Sequence, residues 1–279
     1  MTNSGRPFSS EPIRPGSRVA CRVEYDGSRY CGWQAQTHLN VETVQERLEQ
    51  ALAVVAACPV RVQCAGRTDT GVHGHEQIIH FDAPVERSGR SWVLGTNANL
   101  PLDIRIHWVV EVEPDFHARF SALSRRYRYL IANTPVRPAL LKSQITWQRR
   151  PLNVDLMHSE AQCLLGEQDF GAFQASSCQS KTAMRCIHFV EVSRRADWVI
   201  IDIQANAFLH HMVRNIAGSL MAVGTGRQTD GWLNGVLQGR DRTVAAETAA
   251  ADGLYLVRVE YPTHFALPRS TLGPLMLID

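Results

Sequence analysis

The sequence predicts a protein of mixed α-helices and β-strands that is organised in two successive units. Alternating apolar residues predict strands over 19–25 and 104–112, and a helix pattern that begins at Thr43 lies between them. A new series of strand and helix patterns starts at Pro114, and this predicts the second unit. The predicted ranges are a disordered N-terminal tail over 1–16, the two units over 17–113 and 114–262, and a C-terminal tail over 263–279.

Local signals predict the elements of the first unit. The strand over 19–25 ends in the turn pair Asp26-Gly27. A second helix is predicted from Ser91, and it ends at the stretch 97–101, because the residue before a proline disfavours helical geometry. The helix at Thr43 begins with a capping box, Thr43 with Glu46, and presents one apolar face: Val44, Leu48, Ala51, Leu52 and Val55.

The second unit is predicted from similar patterns. Over 125–131 the chain alternates, so that Tyr127, Tyr129 and Ile131 share one face of a strand while Arg126 and Arg128 take the other. The remaining predicted elements are a helix over 153–165, a hairpin of strands 187–192 and 198–203, an apolar helix that carries Arg214, and a strand over 254–261.

Composition is typical of a globular protein rather than of a membrane or disulfide-rich one. The 279 residues are 44% hydrophobic, and no apolar run approaches the roughly 18 residues needed to cross a bilayer. The first 16 residues lack the apolar centre of a signal peptide. Seven scattered cysteines, with no Cys-x-x-Cys pair, argue against disulfides and zinc. The chain is therefore expected in the cytoplasm, without a membrane partner or a metal.

The basic residues carry more information than the net charge of +2. Lysine occurs only at Lys142 and Lys181, and the other 27 of the 29 basic residues are arginines, whose planar groups suit phosphate recognition. Codon bias in a GC-rich genome explains the same excess. The clusters at 125–128 and 149–150 interleave arginine with aromatic residues, as nucleic-acid surfaces do. An edge strand protected by charge is the alternative interpretation.

The stretch 65–74 is predicted to be a functional loop. It contains three glycines and many polar residues, and strand patterns lie on both sides of it. Asp69 is the only acid between Glu49 and Glu76, and Arg67 lies two residues away. A nearby cation and hydroxyl donors favour an ionised carboxylate, which can act as a nucleophile or a base. An Asx-type turn, in which Asp69 only caps its own loop, is an equally good interpretation.

Two residues of the second unit are further candidates. Arg214 is the only formally charged side chain between Asp202 and Arg227, on an apolar helix with no acid one turn away. Its partner must then come from elsewhere in the fold, and Asp69 is the candidate; snorkelling to solvent is the alternative. Tyr127 lies either in the core or in a cleft where it stacks on a base, whereas Tyr129 is expected in the core.

The sequence closely resembles the tRNA pseudouridine synthase A family. The resemblance extends over most of the chain, and ordered motifs of this length rarely coincide by chance. It is carried by the residues 24–27, 32–34, 43–45, 65–69 with 71–73, 116–122, 126–129, 169–170, 206–215 and 253–256.

The resemblance implies a fold, a reaction and a partner. The fold is α+β, with two ferredoxin-like domains whose mainly antiparallel sheets join across a basic cleft, in a homodimer that holds tRNA. The reaction converts uridine to pseudouridine in the anticodon stem-loop, at tRNA positions 38 to 40. It breaks the N1 glycosidic bond, turns the base and rejoins it through C5. Neither a metal nor an organic cofactor is implied.

The resemblance also implies roles for five residues. Asp69 matches the catalytic aspartate, which either attacks C1′ of the ribose or abstracts a proton from the sugar. Arg67 matches the residue that fills the space left by the flipped nucleotide. Tyr127 matches the residue that stacks on the uracil, Arg214 the one that pairs with the aspartate, and Leu254 an apolar wall of the pocket.

Two other functions are weighed against this one. A non-catalytic RNA-binding module has no use for the pair of Asp69 and Arg214, and both residues are present. An aspartate-dependent N-glycoside hydrolase is the second alternative, but glycoside hydrolases use two carboxylates about 5 to 9.5 Å apart. Only Asp69 lies in a convincing loop.

Overall fold

The computed structural model of the chain describes residues 8–36 and 39–277. Within these ranges the protein is α+β, and its strands pair mostly antiparallel, with β7 and β8 forming a short parallel pair. The helices are α1 (Val44–Ala56), α2 (Gly89–Asn99), α3 (Val154–Ala161), α4 (Met212–Gly224) and α5 (Trp232–Gly239). The strands are β1 (Pro12–Ile13), β2 (Arg18–Tyr25), β3 (Gln63–Cys64), β4 (His73–Asp82), β5 (Arg87–Ser88), β6 (Ile104–Glu111), β7 (Ser124–Ala132), β8 (Thr146–Trp147), β9 (Gly166–Asp169), β10 (Met184–Arg195), β11 (Trp198–Ala205) and β12 (Leu254–Glu260).

The chain divides into two compact units, and the boundaries differ from the predicted ones. The first unit comprises the described residues up to Leu123 and those from Leu256 onward, and the second is Ser124–Tyr255. The predicted boundary after residue 113 is wrong because the following segment packs in the first unit. There, the backbone N–H of Ala118 donates to His80 Nδ1 at 3.1 Å, and the Tyr261 hydroxyl donates to the Ala118 carbonyl at 2.6 Å.

The first unit is built on a sheet in the order β6-β2-β4-β12, with β3 also paired to β4. The predicted strands over 19–25 and 104–112 correspond to β2 and β6. The N-cap half of the predicted capping box is confirmed, because the Thr43 side chain accepts a hydrogen bond from the backbone N–H of Glu46. Apolar side chains of α1 and α2, including Leu48, Leu52 and Trp92, are fully buried in one core with residues of the sheet.

The N-terminal tail prediction is wrong for its last described part. Residues 12 and 13 form β1, which pairs antiparallel with β5, and the Ile13 side chain is buried in the core of the first unit. Phe8 is partly buried against the same core, and the composition of 1–16 does not reveal these contacts. Residues 1–7 of the predicted tail lie outside the described residues.

The segment from residue 263, predicted as a tail, packs on the first unit as far as it is described. The Phe265 ring lies 5.0 Å from the Phe116 ring, edge to face. A Cβ placed on Gly273 would meet the His75 ring at 2.2 Å, so only glycine permits this approach. The Arg258 guanidinium donates to the Ser270 carbonyl at 2.6 Å.

The second unit contains a sheet in the order β7-β11-β10-β9, with β8 beside β7. The predicted strand, hairpin and helices correspond to β7, to β10 with β11, and to α3 and α4. Helix α5 was not predicted, because Gly235 and Gly239 lower its helix propensity. Burial of Leu233, Val236 and Leu237 stabilises it in the folded unit. Across both units, no helix in the described ranges is long and apolar enough to span a membrane.

Candidate active site

The loop that carries Asp69 is clamped where it leaves β3. The backbone N–H of Ala65 donates to the Ile78 carbonyl at 2.8 Å. Gln77, which is fully buried, holds Gly66 from both sides: its amide nitrogen donates to the Gly66 carbonyl at 2.6 Å, and its amide oxygen accepts from the Gly66 N–H at 3.3 Å. The buried Gln77 side chain thus makes the hydrogen bonds to Gly66 that a neighbouring strand would otherwise make, at the point where the chain leaves β3.

The tip of the loop is held by the last residue of β2 and by the segment that follows this strand. The Thr68 hydroxyl lies 2.8 Å from the Tyr25 hydroxyl, and the Thr68 carbonyl accepts from the Trp33 N–H at 3.0 Å. The Val72 N–H donates to the Asp69 carbonyl at 3.1 Å, which closes a turn around Gly71 with φ of +80°. Thr68 is therefore buried while Asp69 is half-buried at the tip.

Two glycines allow the segment 26–33 to lie directly against this loop. A Cβ on Gly27 would fall 1.9 Å from the Val72 carbonyl oxygen, and one on Gly32 would fall 2.7 Å from the Thr68 carbonyl oxygen. Neither position tolerates a side chain without backbone movement. The motifs around residues 24–27 and 32–34 thus have a structural reason, which is to support the loop that presents Asp69.

The two histidines at the start of β4, His73 and His75, have structural partners. His73 is buried, and its Nδ1 lies 3.1 Å from the backbone N–H of Gly27. His75 is also buried, and its Nε2 lies 3.3 Å from the Thr271 carbonyl and 3.2 Å from the Arg22 guanidinium. Both side chains therefore help to hold the loop and strand β4 against neighbouring backbone.

Arg67 and Asp69 lie on this one loop of the first unit, and the other three predicted site residues lie on the second unit. Tyr127 is in β7, opposite Ile203 of β11, and it is 8% exposed. Its ring meets the Phe208 ring edge to face, with centroids 5.2 Å apart. Tyr129 is fully buried, and its hydroxyl lies 2.6 Å from the Thr146 hydroxyl, so the prediction that Tyr129 is a core residue is confirmed.

Arg214 is positioned by backbone on both sides of its side chain. It is the third residue of α4, and it is half-buried. Its Nε donates to the Ala249 carbonyl at 2.8 Å, and its own carbonyl accepts from the Ala249 N–H at 3.1 Å. Gly218 permits this approach, because a Cβ there would lie 2.0 Å from the Glu247 carbonyl oxygen. Because its Nε is bonded to a backbone carbonyl, the Arg214 side chain does not simply extend from the helix into solvent.

A buried asparagine that the sequence analysis did not single out supports Arg214. The Asn215 amide donates to the Phe173 carbonyl at 2.7 Å. Its oxygen accepts from the Thr248 hydroxyl at 2.6 Å and from Arg242 at 3.1 Å. These bonds fix the segment around residue 248 against α4. The residue type alone carries no such signal, because the partners are distant in sequence.

Leu254 is the first residue of β12 and is 5% exposed. Its N–H donates to the Ala251 carbonyl at 2.9 Å, which makes a tight turn before the strand. The preceding Gly253 lies so close to β7 that a Cβ would meet the Leu130 carbonyl oxygen at 2.5 Å.

The arginines of β7 are paired within the second unit. Asp202 of β11 is buried, and its carboxylate accepts from Arg126 Nε at 2.6 Å and from Arg128 Nε at 2.7 Å. The Arg126 guanidinium also lies over the Phe189 ring, 4.8 Å from its centroid. Neither arginine is therefore a bare surface charge, and one carboxylate offsets part of the positive charge that indicated a nucleic-acid surface.

The comparison with protein families agrees with these features. A model described as "tRNA pseudouridine synthase" matches residues 22–121 and 161–262. These ranges include Arg67, Asp69, Arg214 and Leu254, and they exclude Tyr127. The chain belongs to the tRNA pseudouridine synthase family.

Curated relatives match nearly the whole chain. A protein of Actinobacillus pleuropneumoniae serotype 3 (strain JL03), named tRNA pseudouridine synthase A, is 54% identical over 262 residues, 94% of this chain and 99% of the relative. A protein of Escherichia fergusonii with the same name is 53% identical over 272 residues, 98% of this chain and 100% of the relative. Among solved structures, a chain of a Cbf5-Nop10-Gar1 complex aligns with a TM-score of 0.36 at 10% identity. The alignment covers 85% of this chain and 48% of that one.

Proposed function

We propose that this chain isomerises uridine to pseudouridine in the anticodon stem-loop of tRNA, at positions 38 to 40, with Asp69 as the catalytic residue. Membership of the family, with relatives above 50% identity over their full length, makes the chain a tRNA pseudouridine synthase, which is an isomerase. The position of Asp69 supports the finer proposal. Its loop is held by Gln77, Tyr25 and the backbone of Trp33.

A catalytic carboxylate has to be held within a fraction of an ångström of its working position. The contacts of Gly66, Thr68 and Val72 restrain the backbone on both sides of Asp69. The carboxylate itself is half-buried, so a substrate atom has access to it. This combination of a rigid backbone and an accessible acid is the observation that favours catalysis over an Asx-type turn.

The reaction needs no atoms beyond those of the substrate and one exchanged proton. The N1–C1′ bond breaks, the uracil turns, and a C5–C1′ bond forms. C5 then loses its proton to solvent, and N1 takes one up. In this scheme the Asp69 carboxylate either forms a transient ester with C1′ or removes a proton from the sugar.

The remaining residues are proposed to bind the extruded nucleotide. Arg67, exposed beside Asp69, is proposed to fill the space that the flipped uridine leaves in the stem. Tyr127 is proposed to stack on the uracil and Leu254 to form an apolar wall. Extrusion of a base costs a few kcal/mol, and stacking of this kind recovers part of it. Arg214 is proposed to pair with the Asp69 carboxylate, and its anchorage on Ala249 limits the motion of its guanidinium.

We also propose that each unit is ferredoxin-like. In the first unit, β2 lies between β6 and β4, and β3 lies outside β4, with α1 and α2 as the two crossover helices. In the second, β11 lies between β7 and β10, and α3 lies in the chain between β7 and β10. The first order matches the whole ferredoxin-like pattern β-α-β-β-α-β, and the second matches its first three strands and first helix. The basic cleft, the homodimer and the cytoplasmic location stay predictions.

One assay separates the proposed function from its two alternatives. Unmodified tRNA labelled with tritium at C5 of its uridines is incubated with the protein, and released tritium and free uracil are both measured. An isomerase releases tritium without free uracil, a hydrolase releases free uracil, and a binding module releases neither.

The variant Asp69→Asn tests the catalytic residue. A neutral amide has nearly the same size but is a poor nucleophile and base, so we expect turnover to be abolished while tRNA binding persists. Substantial tritium release by this variant would refute the assignment. Asp115→Asn, at an exposed position of the same unit, is the matched control and is expected to keep most of the activity.

A further inference from the structure

One motif of the sequence has no role in the site described so far. Residues 116–122 form an ordered turn in the first unit, and two exposed side chains follow one another within it, Arg119 and Phe120. Phe120 is 74% exposed, although it is a large aromatic residue. Single exposed apolar residues are common on protein surfaces, so exposure by itself assigns nothing.

The backbone of this turn is held by several hydrogen bonds and by the packing of a buried ring. His117 Nδ1 accepts from the backbone N–H groups of Arg119 and Phe120, at 3.1 and 3.3 Å. The Ser121 hydroxyl accepts from the His117 N–H, and the Ser121 N–H donates to the His117 carbonyl. The buried Phe116 ring packs against Tyr261 and Phe265. The backbone that carries Phe120 is therefore fixed before any ligand binds.

The exposed ring itself is also oriented. The His117 ring lies 4.3 Å from the Phe120 ring at an interplanar angle of 35°, and the Arg119 guanidinium lies over the Phe120 ring at 5.5 Å. An aromatic ring held in this way loses little side-chain entropy when a flat ligand stacks on it. A guanidinium next to such a ring is the combination that single-stranded nucleic-acid surfaces use.

This turn lies close to the loop of Asp69. His80, which contacts Ala118 and His117, is the cross-strand partner of Gln63 at the entrance to that loop. Burial raises the pKa of the Cys64 thiol to about 12, and the positive charges of Arg67 and Arg119 both act to lower it. Both guanidinium groups therefore lie within electrostatic range of the same sulfur atom.

We propose that Phe120 is a base-stacking residue of the substrate-binding surface, and that it receives an unpaired nucleotide of the tRNA other than the reacting uridine. Arg119 contacts the adjoining phosphate. This inference rests on the proposed function, because it takes the ligand to be the tRNA substrate. It assigns a second, fixed contact in addition to Arg67, so that the RNA is held at two points of the first unit before the base is extruded.

The test is a set of variants at position 120, measured with unmodified tRNA. We expect Phe120→Ala to raise the Kd and the KM for tRNA about tenfold, since stacking on an aromatic residue has this effect or a larger one, and to leave kcat nearly unchanged. Phe120→Tyr and Phe120→Trp should retain wild-type affinity, and Phe120→Leu should behave like Phe120→Ala. The control is Leu102→Ala, because Leu102 is 90% exposed in the same unit and has no proposed ligand.

Salt dependence distinguishes the two neighbouring residues. Arg119→Gln should reduce the slope of log Kd against log salt by about one, whereas Phe120→Ala should leave the slope unchanged. If the wild type turns over tRNA and Phe120→Ala binds with unchanged Kd and KM, the inference is wrong and the proposed function stands. An equal loss of tRNA affinity in Phe120→Ala and Phe120→Tyr would also refute stacking. Failure of the wild type itself to bind tRNA would refute both.

Discussion

Replacing Gln77, which holds the loop of Asp69, should lower both the stability of the protein and the rate of the proposed reaction. Gln77 is fully buried and makes two hydrogen bonds to the backbone of Gly66. In Gln77→Leu both bonds are lost, at about 1 kcal/mol each, and the N–H and carbonyl of Gly66 lose a buried partner. Leucine recovers part of this through apolar burial, so we expect a net loss of about 2 to 3 kcal/mol in the free energy of unfolding.

The functional consequence follows from the position of the clamp. Gly66 precedes Asp69 by three residues, and the loop beyond it is then restrained mainly through Thr68 and Val72. A displacement of about 1 Å in a catalytic group costs up to about a hundredfold in rate. We therefore expect kcat/KM to fall between about tenfold and a hundredfold, at a temperature where the variant is folded.

The chain offers a closely matched control for this prediction. Gln63 is exposed on the neighbouring strand β3, so Gln63→Leu makes the same chemical change without removing a buried hydrogen bond. In thermal melts, the Tm should fall by about 5 to 10 °C for Gln77→Leu and change little for Gln63→Leu. If the two variants have the same Tm and turn over tRNA at the same rate, the hydrogen bonds of Gln77 do not position the loop and the reasoning is refuted.

Two further predictions concern buried polar groups. Burial lowers the pKa of His80 to about 4, and the nearby charges of His117 and Arg18 add to this. In this pH range the unfolded state binds a proton that the folded state does not, so the free energy of unfolding should fall by up to about 3 kcal/mol as the pH drops from about 6.5 to about 4. Urea unfolding at the two ends of this range measures the fall, and the His80→Asn variant should not show it. Asp202→Asn should destabilise the second unit by about 3 kcal/mol, because Arg126 and Arg128 lose their shared carboxylate. Urea unfolding compared with Asp197→Asn, in the exposed hairpin turn, measures this, and equal stability of the two variants would contradict it.

Much of the secondary structure was determined by local sequence. The capping pair Thr43 and Glu46 and the apolar face behind it specify α1, because both signals act within one helical turn. The alternation of residues 125–131 likewise specifies β7 and places Tyr129 in the core. The composition of 65–74 identified a polar, glycine-rich loop, and the resemblance of its residues to a known family supplied a role for Asp69.

Only the tertiary structure decided how that loop is held and where the units divide. The contacts of Thr68 with Tyr25, of Arg214 with Ala249 and of Ala118 with His80 join residues far apart in sequence. Neither periodicity nor residue type reports such pairings, because each depends on which strands become neighbours. For the same physical reason the sequence determined that an aspartate lies at the tip of a loop, while the fold alone determined that this loop is rigid and that Phe120 is fixed in the same unit.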